Sequence, residues 1–130
     1  MTQKGAVILI VDDDEDIRAL LKLFLEADGY VVKSAANGLD AWKQLQAGIQ
    51  PTLILLDLMM PRMDGERFLK KLRSSRFARM TVIVLSGHGA AQKKAEELKA
   101  NGCLMKPVEF DDLLNTVRRF VALRSKKDVA

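Results

Sequence analysis

The chain has 130 residues, enough for one domain built around one core. Apolar residues make up 48% and charged residues 29%, the balance of an ordinary globular protein and not of a fibrous, low-complexity or membrane-embedded one. The net charge of +4 is spread along the chain with Asp and Glu interleaved, so there is no basic stripe with interleaved aromatics and direct nucleic acid binding is not expected.

Cys103 is the single cysteine, so no intrachain disulfide can form and nothing points to an oxidising compartment. The first apolar run has six residues, too short for a signal peptide and far too short to span a bilayer; a cytoplasmic location is the default expectation.

Short apolar runs at Ala6–Val11, Tyr30–Val32, Leu53–Leu56, Val82–Leu85 and Cys103–Met105 alternate with helical segments. The first, third and fourth are nearly continuous Ile, Leu and Val, as strands buried on both faces of a parallel sheet are. The second and fifth are weaker and suit edge strands. After the first strand, Ile17, Leu20, Leu21, Phe24 and Leu25 repeat with helical period, and Gly29 follows. Asn37-Gly38 opens a second helix carrying Leu39, Trp42 and Leu45. Phe68, Leu69 and Leu72 mark a third. The fourth, Ala90–Ala100, offers only alanines and Leu98 to a core, and Asn101-Gly102 is read as its end. A fifth carries Phe110, Leu113, Leu114, Val117 and Val121, with Asp111 and Asp112 first and Arg118 and Arg119 later, as the helix dipole favours. Residues 1–124 read as one domain and 125–130 as a frayed tail.

Five strand–helix units in alternation predict an α/β fold: a doubly wound five-stranded parallel sheet with five helices on two faces. Right-handed crossovers leave few strand orders, of which the flavodoxin-like 2-1-3-4-5 is one common solution. Its switch point lies between strands 1 and 3, beyond their carboxyl ends. The residues standing there are Asp12 and Asp13 after strand 1, Asp57 after strand 3, Ser86 after strand 4 and Lys106 after strand 5. Three carboxylates close together repel one another and call for a cation. Oxygen ligands suit Mg²⁺, which shares itself readily with phosphate. A carboxylate can also accept a phosphoryl group, with Lys106 and the Ser86 hydroxyl holding its oxygens. Asp14, Glu15 and Asp16 are better read as capping the first helix.

These pieces are Ile-Val-Asp12-Asp13-Asp14, Leu-Leu-Asp57-Leu-Met-Met-Pro61-Arg-Met63-Asp64-Gly65, Leu-Ser86-Gly and Met-Lys106-Pro107. Four motifs in this order, on these elements, closely resemble the response-regulator receiver family of two-component signalling over essentially the whole chain. The resemblance implies that Asp57 takes a phosphoryl group from a histidine kinase or phosphotransfer protein. It implies Mg²⁺ bound by Asp12, Asp13, Asp57 and the Met59 backbone carbonyl, and a cis Lys106-Pro107 bond. It also implies a downstream effector that reads the phosphorylated state, and it admits a homodimer through the helix 4–strand 5–helix 5 face. Such a module is not an enzyme in the usual sense, although it assists its own phosphorylation and dephosphorylation. It can be a stand-alone regulator or a piece of a longer protein.

Three points need separate weighing. His88, two residues past Ser86, is read first as an exposed loop side chain; the sharper alternative is that it gates water and sets the lifetime of the phosphorylated state. Receivers of this kind carry an aromatic three residues before the strand-5 lysine, and here that residue is Cys103. A small buried thiol is its plain reading. With no ring to swing, output is expected through backbone shifts of the Ser86–Ala90 loop. The alternative function is a pseudo-receiver, a protein-interaction module independent of phosphorylation. Other signatures fail: Leu-Ile-Leu-Leu-Asp57 resembles a Walker B strand, but no G-x-x-x-x-G-K-[ST] loop exists, and Ser86 with His88 lacks a nucleophile elbow.

Overall fold

Each apolar run forms a strand, and each periodic segment between them a helix. The computed structural model describes residues 5–58, 60, 64–87 and 91–129. The chain runs β1 (Val7–Val11), α1 (Glu15–Ala27), β2 (Val31–Ala35), α2 (Gly38–Gln46), β3 (Leu53–Asp57), α3 (Gly65–Arg73), β4 (Val82–Ser86), α4 (Ala91–Glu97), β5 (Gly102–Met105) and α5 (Phe110–Val129). The strands form one sheet in the order β2-β1-β3-β4-β5, and every neighbouring pair is parallel. The flavodoxin-like doubly wound architecture is therefore present as expected.

Strand alternation divides the core in two. Leu9, Val11, Ile54, Leu56, Val82 and Val84 point to one face and pack with α2, α3 and α4. Ile8, Ile10, Leu53, Leu55, Ile83 and Leu85 point to the other and pack with α1 and α5. All residues of β3 and β4 are buried, which is why those strands read as continuous apolar runs.

Helix starts follow the predicted chemistry. Asp14 caps α1 by accepting from the amides of Asp16 (2.9 Å) and Ile17 (3.2 Å). Asn37 caps α2 and Asp64 caps α3, each accepting at 2.8 Å from the amide three residues on. Gly29, at φ +94, turns the chain out of α1.

Several boundaries differ from expectation. β2 is Val31–Ala35, not Tyr30–Val32, because Lys33 and Ser34 of this edge strand face solvent and give no apolar signal. α4 ends at Glu97, and the turn after it is made by Lys99 at φ 63. Asn101-Gly102 does not end that helix. Gly102 opens β5, where a Cβ would come within 3.0 Å of Ile83 Cδ1 and 3.2 Å of the Phe120 ring. α5 remains helical to Val129, past the expected start of a frayed tail at residue 125. Arg118 accordingly lies within the helix and not at its end; it forks onto Asp28 at 2.6 and 3.0 Å, tying α5 to the end of α1. α4 is thinly packed as predicted: it and the turn after it bury Ala95 and Leu98. Lys94 also reaches Glu66 on α3, at 3.2 Å.

Candidate functional site

The same alternation that sorts the core aims the site. Ile8 and Ile10 lead to Asp12, Leu53 and Leu55 lead to Asp57, and Leu104 leads to Lys106, so three polar side chains continue one face of the sheet at its carboxyl edge. β1 and β3 are neighbours, with Val11 opposite Leu56, which brings the two aspartates side by side. Asp12 is fully buried and Asp57 is 5% exposed, while Asp13 is exposed. One carboxylate oxygen from each of the three lies within 4.8 Å of the others.

Asp12 is fixed on every side. Its amide donates to the Ala35 carbonyl (3.2 Å), and its own carbonyl accepts from Arg18 Nη1 (2.7 Å). Oδ1 accepts from the Asp14 amide (2.9 Å), and Oδ2 pairs with Lys106 Nζ (2.8 Å). Lys106 Nζ also lies 3.3 Å from Asp57 Oδ2. The lysine is placed by its backbone, whose amide donates to the Ser86 carbonyl (2.8 Å), and the Lys106-Pro107 bond is cis. Burial pulls the Lys106 ammonium toward losing its proton, but the hydrogen bond and charge of Asp12, with the charge of Asp57, outweigh it and hold its pKa above the ordinary value. Ser86, 3% exposed, ends β4 one residue beyond Leu85, the register partner of Asp57.

The donor set fits a divalent cation. Three carboxylates against one ammonium leave two negative charges in a space of a few ångströms, and all the available ligands are oxygens. Asp13, being exposed, leaves that side open to solvent and to an incoming group.

The structure thus brings Asp12, Asp13, Asp57 and Lys106 together, with Ser86 on the adjoining strand end. Met59, the expected carbonyl ligand, lies outside the described residues, as do His88 and most of the Ser86–Ala90 loop. Cys103 is half-buried against the α2–α3–α4 side of the core, and burial pushes its thiol pKa up, away from reactivity.

Two further residues shape the site without any mark of their role in the motifs, Gly65 and Arg18. Gly65 donates its amide to the Leu58 carbonyl (3.0 Å) and packs on the backbone of Asp57 and Leu58. Its place directly after the α3 cap, eight residues past Asp57, is the signal that could have marked a close approach.

Comparison with known proteins gives a consistent answer. Residues 8–118 match the model for the response regulator receiver domain. The chain is 38% identical over 120 residues to response regulator Rre1 of Synechocystis, covering 88% of this chain and 51% of that protein. It is 34% identical to sporulation initiation phosphotransferase F of Bacillus subtilis, covering 91% of this chain and 95% of that one. Among solved structures, a CheY-like response regulator receiver domain protein from Methanospirillum hungatei superposes with a TM-score of 0.86 at 29% identity, covering 95% of this chain and 99% of the other. Chemotaxis protein CheY4 of Vibrio cholerae gives 0.81 at 30% identity, over 89% and 98%. The chain spans about half the length, or less, of several curated relatives it matches. Among the described residues no helix is long and apolar enough to cross a membrane.

Proposed function

The chain belongs to the response regulator receiver domain family of two-component systems, and from that premise we propose that it is a phosphorylation switch whose acceptor is Asp57. The observation that carries this reading is the cluster itself: three carboxylates within 4.8 Å, with the Lys106 ammonium 2.8 Å from one and 3.3 Å from another.

An Asp57 carboxylate oxygen attacks the phosphorus of a phosphohistidine on a histidine kinase or phosphotransfer protein. A P–O bond forms as the P–N bond breaks, and the electron pair of that bond returns to the imidazole ring. Burial of Asp57 on β3 fixes the nucleophile, so little motion is needed before attack. Lys106, kept protonated by its two aspartates, holds one phosphoryl oxygen, and the Ser86 hydroxyl donates to another. Asp12, Asp13, Asp57 and the Met59 carbonyl would hold Mg²⁺, which when bound neutralises the charge shared by carboxylate and phosphoryl oxygens. Residues 1–124 form the switch, and the phosphorylated state is read by a downstream effector.

The test is treatment with acetyl phosphate, with and without Mg²⁺, followed by a phosphate-affinity gel. A Mg²⁺-dependent shifted band that disappears in Asp57→Asn is expected. No shift under any condition would instead assign the chain to phosphorylation-independent protein binding.

A further inference from the structure

The opposite pole of the sheet carries the reverse charge. Thr81 and Asn101 precede β4 and β5, and beside them lies an open groove of about 850 Å³. Arg73, Arg79, Lys99 and Arg124 rim it, and Met80 and Leu123 supply apolar wall. A second hollow of about 280 Å³ continues it toward Pro51, sharing Arg79, Met80 and Arg124 and adding Arg76. Among the described residues no Asp or Glu lines either part. Among the described residues none of Arg73, Arg76, Arg79 and Lys99 is in an ion pair.

Helix dipoles account for part of this. Arg73 is in the last turn of α3, and Lys99 follows α4. Arg76 and Arg79 stand in the connection beyond α3 and have no such role. Arg73 is committed internally: it donates to the carbonyls of Lys99 (3.0 Å), Ala78 (3.1 Å) and Met80 (2.6 Å) and to Asn101 Oδ1 (3.0 Å). Its charge is therefore met only by neutral acceptors and adds a fixed positive field. The exposed heads of Arg76, Arg79 and Lys99 remain available for contact.

The chemistry of the groove separates the anions it could take. Both nearby aromatic rings already carry a guanidinium: Arg76 lies 4.9 Å from the Phe77 centroid, and Arg119 lies 4.7 Å from that of Phe120. Phe77 is also engaged edge-on by Trp42. Neither ring offers a free platform for a base, which single-stranded nucleic acid and nucleotides use. The helix ends that meet the groove are carboxyl ends, presenting carbonyls and not the amide cradle that suits a compact phosphate. Spaced cations along a partly apolar, open channel match carboxylates spaced along an extended chain, with apolar side chains between them.

We propose that this groove, at the amino ends of β3, β4 and β5, docks an acidic, partly apolar peptide segment of a partner protein, with Arg76, Arg79 and Lys99 as its contacts. The five residues of β3 put about 15 Å between its amino end and Asp57. Docking there is consequently compatible with either state of the acceptor and stands independently of the proposed phosphorylation.

The experiment is fluorescence anisotropy of a labelled peptide of repeated Asp-Glu-Leu titrated with the full chain. Saturable binding is expected, weakening as salt rises. Arg76→Glu/Arg79→Glu should weaken it by about tenfold or more. Lys22→Glu/Lys33→Glu, which changes net charge equally on α1 and on β2 at the opposite edge of the sheet, should leave it nearly unchanged. Circular dichroism melting of each variant establishes that it is folded, and Arg76→Ala/Arg79→Ala serves if the reversal variant is not. Absent binding, equal loss in both charge-reversed variants, or tighter binding of a single-stranded oligonucleotide than of the peptide would each overturn the proposal.

Discussion

Gly65 lies directly against the strand that carries Asp57: a Cβ built on it would meet the Asp57 carbonyl oxygen and come within 2.5 Å of the Leu58 Cα. Those are backbone atoms and cannot swing aside. Gly65→Ala must push the end of β3 away from α3, with a loss of about 2–3 kcal/mol of stability expected from overpacking of this kind. Because the displaced segment bears the proposed acceptor, phosphorylation by acetyl phosphate should fall more than that of a variant comparably destabilised in the core, such as Leu72→Ala. Urea unfolding and the phosphate-affinity gel together check this.

Lys106 joins the site to the alkaline limit of stability. Its pKa is raised in the folded chain, so its contribution is complete below the ordinary value of 10.5 and is lost as pH rises through the higher folded value. Wild type should lose melting temperature steeply above about pH 10.5, and Lys106→Met should show a shallower decline there. At neutral pH Lys106→Met leaves the buried Asp12 carboxylate without its cation. It should be the less stable protein by several kcal/mol, about 3 by the usual penalty for a broken buried pair. Melting curves across the pH range decide both points.

Mg²⁺ should stabilise the protein even without a phosphodonor. A ligand that binds only the folded state adds about 2.7 kcal/mol at a hundredfold excess over its Kd. The rise in melting temperature on adding MgCl₂ should be largely absent in Asp57→Asn and reduced in Asp13→Asn, whose carboxylates relieve their repulsion through the ion. An equal rise in all three proteins would mean that the ion binds elsewhere.

Arg73 fastens the end of α3 to the two turns that precede β4 and β5 through four hydrogen bonds. A lysine cannot span that fork, so Arg73→Lys should cost about 2 kcal/mol despite keeping the charge. Faster amide exchange at Asn101 and Val82, whose backbone groups meet in the same network, would accompany it.

The legibility of the chain varied with its physics. Strands β1, β3 and β4 were legible because burial on both faces makes them apolar up to the carboxyl end, where β3 and β4 close on Asp57 and Ser86. β2 was not, since three of its five residues face water. The ends of α4 and α5 were misplaced for a related reason. Lys99 adopts a left-handed turn usually left to glycine, and α5 continues past its last core contacts, so neither boundary carries a compositional mark. Asp12, Asp13, Asp57 and Lys106 were legible as a group once the strand order was known, because parallel strands deliver their carboxyl ends to one edge. Arg18 and Arg73 were not, since their partners are backbone carbonyls, which any sequence supplies. Arg118 was legible as a cation but not as the partner of Asp28, ninety positions away.

α4 is short; among the described residues it and the turn after it bury Ala95 and Leu98, and Lys94 reaches Glu66 on α3 through a partly exposed ion pair. Such a segment detaches at a free energy well below that of global unfolding. The molecule therefore has a hierarchy of openings. Its cheapest excursion is expected to lift α4 from β4 and β5 while β1, β3 and the acidic cluster stay assembled. Amides of residues 92–98 should therefore exchange with solvent orders of magnitude sooner than those of β3, a difference that hydrogen exchange on the chain alone would read.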